Sequence, residues 1–422
     1  MAQKPEPLTL DQAIEFALKH NPEVSATQWQ SAASVAGRDA AKAQRLPTVK
    51  LLGAYDYQSE ASRLYPATYN GEQGLFGQGI AGGELVLSIP LYTGGRISSE
   101  IAAAELLRQA SEGELSRTRE VVVFNVTSLF YSILAQQEVI ESVESAVRAI
   151  KEHRRSVEDL VTAQKAARVD VLRAEVRQAA LEETRTRELN TLSVQRWALA
   201  ALIGQESNTT PEIDGSLELE SPPECQESSL CLQKAMAYRP DYASAQQQSG
   251  ALGKTIRSAR SGYLPTVSLQ AGYGVRWMDD VQEQPAGTDR SQDVGHIGLV
   301  AVWPLFSGGS TGANVRQQTA LYQASQDRVR QMKLQIRTEV ESALTGIASA
   351  RERVTTSSKS VEQARESFRI IREKYELGKG AMVDVLDAQA ALVFAETSLA
   401  RARADLAISD AQKKLATGTI LR

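Results

Sequence analysis

Asp384 and Asp387 lie three residues apart in "MVDVLDAQ", so a helix there carries both carboxylates on one face. An acidic residue in a first helical turn is favoured by the helix dipole whatever else it does. Asp170, in "RVDVLRAE" 214 residues earlier, holds the place of Asp384, whereas Asp387 is matched by Arg173, so a shared turn does not demand the second carboxylate. Arg168 and Lys379 flank the two turns, either paired with carboxylates across helices or simply solvated. Other chemical signals lead nowhere. His20, His153 and His296 are far apart and outside any ligand-spaced motif, so no metal or catalytic histidine site is expected. "GQGIAG" from Gly77 fits GxGxxG, but a strand follows where a dinucleotide site needs a helix, and we read it as loop. With no GxSxG, Walker loop or catalytic carboxylate set in context, neither an enzyme nor a cofactor is expected. Cys225 and Cys231, the only cysteines, form either a small disulfide loop or two unrelated thiols.

The elements that hold these residues occur twice. "LPTV" at Leu46 and Leu264, and "NPEV" at Asn21 with "RPDY" at Arg239, share an offset of 218 residues. "IPLYTGGR" and "WPLFSGGS", the two "VDVL" segments, and the glycines Gly204 and Gly418 share an offset of 214. One four-residue insertion reconciles the two offsets, so about half the chain is duplicated.

Within one copy, Thr9 with Gln12 reads as a capping box for a short helix, and Asn21 with Pro22 opens a second helix running to about Arg45. The period then becomes two. Val49, Leu51, Tyr55 and Tyr57 fall on one face against Lys50, Asp56 and Gln58, and Val267, Leu269, Ala271, Tyr273, Val275 and Trp277 repeat the pattern more cleanly. Such alternation fits a lipid face opposite a watery lumen, and equally a sheet lying on a soluble core. Tyr92, Trp303 and Phe306 near the strand ends suit a membrane interface. From Ile97 to about Thr162 there is no Pro and one Gly, a helix of roughly 100 Å with apolar residues at coiled-coil spacings. It turns through "AQKAARVDVL", or "LGKGAMVDVL" in the second copy, into an antiparallel partner.

The expected order is therefore terminal and inter-repeat segments at 1–20 and 205–239, repeat 1 over 21–204, repeat 2 over 240–418, and a tail at 419–422. Repeat 1 carries strands near 48–58 and 82–92 and helices near 97–162 and 170–203; repeat 2 carries strands near 266–277 and 294–304 and helices near 311–376 and 383–416. Composition agrees: aromatics are 5%, and 47 basic and 51 acidic residues are interspersed at net −4, with no footprint for nucleic acid. Mean hydropathy is −0.28 and no apolar run is long enough for a membrane helix, which leaves a β-barrel open. No signal peptide follows Met1, and we read the chain as starting at a mature residue. Four strands cannot close a barrel, for which about eight is the practical minimum, and their edges are intolerable in lipid, so other chains must complete the sheet.

The order of elements, given twice, with "RLPTVKLLGAY", "SIPLYTGGR", "YLPTVSLQAGY", "VWPLFSGG" and "YELGKGAMVDVLDAQAAL", resembles the TolC family of bacterial outer-membrane efflux and secretion channels over nearly the whole chain. The resemblance implies a mainly α fold with a small β part: long antiparallel helical hairpins forming an α-barrel in the periplasm, and a four-strand share of a trimeric, twelve-stranded outer-membrane β-barrel. It implies a homotrimer in outer-membrane lipid, a passive exit duct for a tripartite efflux pump or type I secretion system, joined to an inner-membrane pump or ABC transporter through a periplasmic adaptor. It further implies a periplasmic gate at Asp384, Asp387 and Tyr375, with Asp170 a weaker member, the carboxylates facing the axis and Tyr375 latching the closed state. Leu377, Gly378 and Lys379, with Ala166, Ala167 and Arg168, become the surface on which an adaptor hairpin packs, or simply two tight turns. Tyr55, Tyr57, Tyr92, Tyr273, Trp277, Trp303 and Phe306 become interface aromatics. The chain has no Cys after Met1, so lipid anchoring is not inferred. The alternative from another class is a periplasmic adaptor or coiled-coil scaffold without a pore, but an adaptor needs one helical hairpin and compact β domains.

Overall fold

The computed structural model describes residues 7–64, 74–205, 210–218 and 227–421. In chain order these form α1 (Leu10–His20), α2 (Pro22–Ala43), β1 (Thr48–Arg63), β2 (Phe76–Tyr92), α3 (Arg96–Thr162) and α4 (Arg168–Leu202). The second half gives α5 (Ser228–Tyr238), α6 (Pro240–Arg260), β3 (Thr266–Met278), a short β4 (Val281–Glu283), β5 (Ser291–Val302), α7 (Ser310–Glu376) and α8 (Met382–Thr417). The duplication reaches further back than the Pro-initiated helices. α5 follows α1 at the offset of 218, and Cys231 and Ala235 occupy the buried places of Ala13 and Ala17. Cys225, the other half of the candidate disulfide, lies outside the described residues.

Two compact units emerge, each drawing on both repeats. One comprises Met1–Gln30, Glu112–Ser244 and Arg330–Arg422; the other Ser31–Ser111 and Ala245–Val329. In the first unit, Ala13, Ala17, Val126, Phe130, Ile133 and Leu199 form a core that ties α1, α3 and α4 together. Its repeat counterpart packs Cys231 and Ala235 of α5 on Ile336, Val340 and Ala343 of α7 and Ala416 of α8. A third cluster, with Ile150 and Val157 of α3, Ala174 and Leu181 of α4 and Met382 of α8, lies toward the helical turns. Small residues recur at these buried positions because helices pack closely only where side chains are short.

The same joint is built twice with different chemistry. In repeat 1, Asn21 caps α2 by accepting from the N–H groups of Glu23 (2.8 Å) and Val24 (3.2 Å), and its amide donates to Leu202 O at the end of α4 (2.9 Å). Arg239 stands at the equivalent place and cannot accept, so Asp241 takes the capping bond from Tyr242 N–H. Arg239 donates instead to Ala416 O at the end of α8, and its buried guanidinium pairs with Asp241 (2.6 Å) and Glu339. Arg117 adds a bond to Leu415 O (3.0 Å) and pairs with Glu120 and Asp241. Gly204 and Gly418, at φ 71° and 70°, end the return helices against the backbone of His20 and of Tyr238–Arg239, where a Cβ would collide.

The second unit holds one antiparallel sheet in the order β1-β2-β3-β5, with β4 set against β2. Both long strands of the first hairpin extend beyond the alternating segments, to Arg63 and from Phe76, and β2 takes in Gly77–Gly82. This corrects the reading of "GQGIAG" as loop: glycine and small residues pair with β1 and β3 there, where backbone hydrogen bonds outweigh poor strand propensity. Among the described residues no helix is long and apolar enough to cross a membrane.

Candidate functional site

Register decides what the sheet can do. Cross-strand rows read Val49–Leu87–Ala271–Ile297 and Leu51–Leu85–Tyr273–Gly295, with Ile89, Leu269 and Leu299 in the next row, so one face is mainly apolar across all four long strands, with Asp293 beside Val275 accepting from the Tyr273 hydroxyl (3.1 Å). Its rows also carry Tyr55, Tyr57 and Trp277 at one end and Tyr92 at the other. Trp303 and the strongly exposed Phe306 (89%) follow β5, and the Trp303 indole N–H donates to Tyr263 O (3.1 Å). From Val49 to Tyr57 the strand rises roughly 25 Å, the height of the apolar band of an outer-membrane barrel. Leu51 and Ile297 are 79% and 76% exposed, an apolar surface that water would penalise by about 1.5–3 kcal/mol for each large side chain left uncovered.

The opposite face carries Lys50, Glu84, Gln270, Arg276, Gln292 and His296. Glu84 of β2 meets His296 of β5 (3.2 Å) across the intervening β3, because Gly272 leaves the space that a Cβ would fill. Leu52, Val86, Val294 and Val300 share that face, so it is mixed in polarity, and its charged groups suit water. Each of β1 and β5 pairs on one side only among the described residues, so the sheet is open at both edges.

The helical turns form the second candidate region. Both close in the same hydrogen-bonded pattern: Lys165 N–H to Leu160 O and Gln164 N–H to Val161 O in the first, Lys379 N–H to Lys374 O and Gly378 N–H to Tyr375 O in the second. The left-handed position is Gln164 (φ 57°) in one and Gly378 (φ 73°) in the other. Ala167 and Ala381 then open α4 and α8. Leu377, Gly378, Lys379, Ala167 and Arg168 are exposed and Ala166 is half-buried.

The three acidic residues part company here. Asp170 pairs with Arg173 on its own helix (3.5 Å), whereas Asp384 accepts only a long bond from Ala381 N–H (3.4 Å) and is exposed. Asp387 is exposed on a groove of about 520 Å³ between α4 and α8. Counterparts from both repeats line that groove: Val169 and Val383, Leu172 and Leu386, Arg173 and Asp387.

Tyr375 joins the elements. Its half-buried ring meets the His153 ring of α3 edge to face, with centroids 5.2 Å apart. Burial, and then the charge of Asp170, push its hydroxyl above the usual range. His153 Nε2 also lies 2.9 Å from the Met382 sulfur at the start of α8. Sequence reasoning set His153 aside for lack of a ligand-spaced motif, and no spacing rule could have found it, because Tyr375 and Met382 come from the other repeat. The group of buried Arg239 with half-buried Asp241 and Glu339 was missed too, although the charged pair in "RPDY" where the first copy has "NPEV" was a signal.

A sheet with one mainly apolar face, one face bearing charges and, among the described residues, two open edges, in a chain that also forms long helical hairpins, fits a component of a β-barrel channel. The family model for outer membrane efflux protein matches residues 13–205 and 231–419. The chain belongs to that family and is an outer-membrane efflux channel protein, not an enzyme. It is 23% identical over 335 residues to the outer membrane efflux protein BepC of Brucella suis, covering 78% of this chain and 70% of that one. It is 24% identical over 394 residues to the cobalt-zinc-cadmium resistance protein CzcC of Cupriavidus metallidurans, covering 92% and 84%. The Campylobacter jejuni CmeC outer membrane channel superposes with a TM-score of 0.84 at 17% identity, covering 100% of this chain and 90% of that one. These likenesses weigh against the adaptor or scaffold alternative.

Proposed function

We propose that three copies of the chain assemble into one passive exit duct of a tripartite efflux or type I secretion system, embedded in outer-membrane lipid. The open sheet carries this reading. Four long strands with a mainly apolar face and, among the described residues, two unpaired edges are a partial barrel wall, and in hydrocarbon each unpaired backbone group costs several kcal/mol. Joining β1 of one copy to β5 of the next removes every edge and gives twelve long strands, enough for a water-filled lumen lined by Lys50, Glu84 and Arg276. Tyr55, Tyr57, Tyr92, Tyr273, Trp277, Trp303 and Phe306 then sit near the two membrane interfaces, as the aromatics of a barrel do.

Energy comes from an inner-membrane pump or ABC transporter, reached through a periplasmic adaptor that packs against the helical tips at Leu377, Gly378, Lys379, Ala166, Ala167 and Arg168. The gate lies at those tips. Asp384 and Asp387 form two threefold rings that favour cations and narrow the mouth, and Tyr375 latches the closed arrangement, while Asp170 is held by Arg173 and contributes least. Cys225 and Cys231 close a small disulfide loop, consistent with an oxidising periplasm. Replacing Asp384 and Asp387 together with Ala should raise single-channel conductance in planar bilayers several-fold and weaken block by multivalent cations, and unchanged traces would refute the carboxylate rings. A chain extracted from outer membranes without a heat-sensitive trimer band would refute the assembly.

A further inference from the structure

We infer that His153 is a positioning residue of the gate: its imidazole holds Tyr375 and Met382 together at the tip, and protonation of that ring releases them. The inference rests on the proposed gate and names a control on it.

The geometry is specific to this residue. His153 projects from α3, touches the Tyr375 ring edge to face at 5.2 Å, and brings Nε2 to 2.9 Å from the Met382 sulfur. One side chain of repeat 1 thus ties the last turn of α7 to the first turn of α8, the two ends of the loop bearing Leu377, Gly378 and Lys379. Met382 is almost fully buried in the cluster formed with Ile150, Val157 and Ala174. A neutral ring can make both contacts and an imidazolium would keep the N–H, so what works against the charged form is its burial beside the apolar cluster of Met382, Ile150, Val157 and Ala174.

Each element around His153 brings charge. α7 supplies Arg372, Glu376 and the Tyr375 hydroxyl, and α4 supplies Asp170, which acts on Tyr375, and Glu175. On α3 itself Arg154 lies beside it, paired loosely with Glu158 (3.7 Å) and Glu175 (3.9 Å); on α8 the Asp384 carboxylate turns back to Ala381 N–H. Burial holds the His153 imidazole below its ordinary 6.5, Glu376 works against that, and Arg372 adds to it. The packed tip therefore binds fewer protons than the loosened one. Its His153 contacts count in full above pH 6.5 and weaken as the pH falls from there through the packed value. The helices of an outer-membrane channel stand in the periplasm, where an outside acid shift reaches the ring.

The test uses the full chain purified from outer membranes and placed in planar bilayers at about pH 7.5 and about pH 5.5, the range over which an imidazole titrates. Wild type should gain about three- to tenfold in open fraction on acidification. His153→Gln, which keeps a donor for Met382 but cannot titrate, and His153→Phe, which keeps an aromatic ring, should each lose that step and show the same open fraction at both pH values. The Asp384→Ala/Asp387→Ala double variant should conduct more at both pH values and keep the step. If it conducts like wild type, the gate reading itself fails. If it conducts more but wild type has no acid step, or the step survives in either folded His153 variant, the gate stands and the role of His153 is overturned. If His153→Phe does not assemble, His153→Gln decides the matter by the same readout.

Discussion

Repeat 1 and repeat 2 solve the same joint, one with a neutral amide and the other with a buried ionic group. Asn21 satisfies the start of α2 and the end of α4 with one side chain, whereas Arg239 needs Asp241 and Glu339 around it to do the equivalent work for α6 and α8. The fold requires a partner for the terminal carbonyl of each return helix; it does not dictate the chemistry. The tips teach the same lesson. The turn geometry and the first-turn aspartate recur at both, but Gln164 stands where Gly378 does and Arg173 where Asp387 does, so those positions are free for function.

The joints offer the largest test. Arg239→Ala removes the buried guanidinium from half-buried Glu339 and Asp241, leaving Arg117 as a partner of Asp241, and should cost about 2–4 kcal/mol in thermal or denaturant unfolding. Asn21→Ala removes a cap and one tertiary bond and should cost about 1–2 kcal/mol. Equal losses would end the claim that the two joints differ in kind.

Acid should separate the joints further. Burial alone would raise the Asp241 carboxyl, but the bonds from Arg239 and the charge of Arg117 prevail and hold it below its ordinary 3.8. A carboxyl so depressed contributes stability that is present above 3.8 and lost as pH falls through its folded value. The stability gap between wild type and Asp241→Asn should therefore be widest near neutrality and close below 3.8, with the Asn21→Ala gap showing no such closure. Unfolding curves across that range check it.

Smaller effects belong to the tips. Gly378→Ala forces a Cβ into left-handed backbone and should cost about 1 kcal/mol, while Gln164→Gly relieves that strain in the first turn and should be neutral or stabilising by up to about 1 kcal/mol. Local hydrogen exchange at the two turns reads both. The smallest effect is expected for Arg173→Ala: its pair with Asp170 is partly exposed, and its loss should change stability by less than about 0.5 kcal/mol.

Much of this molecule was legible along the chain because it is written twice and in two clean periods. The alternation of Val267 to Trp277 and the Pro-free run after Arg96 specify strand and long helix locally, since a side chain's direction follows from its own backbone. The first hairpin was less legible: Gly77–Gly82 has weak strand propensity and is held in β2 by its neighbours' hydrogen bonds. Resemblance supplied the family, and with it the tip residues that composition alone would not have singled out.

Sequence by itself determined the duplication, the long helices and the alternating core of the strands, because these depend on residues near one another in the chain. Only the tertiary structure decided that the four apolar faces fall into common rows, that Glu84 reaches His296 over Gly272, and that His153 meets Tyr375 and Met382. Each of those pairings joins distant segments through strand register or helix packing, and a shift of one residue would turn the same side chains elsewhere.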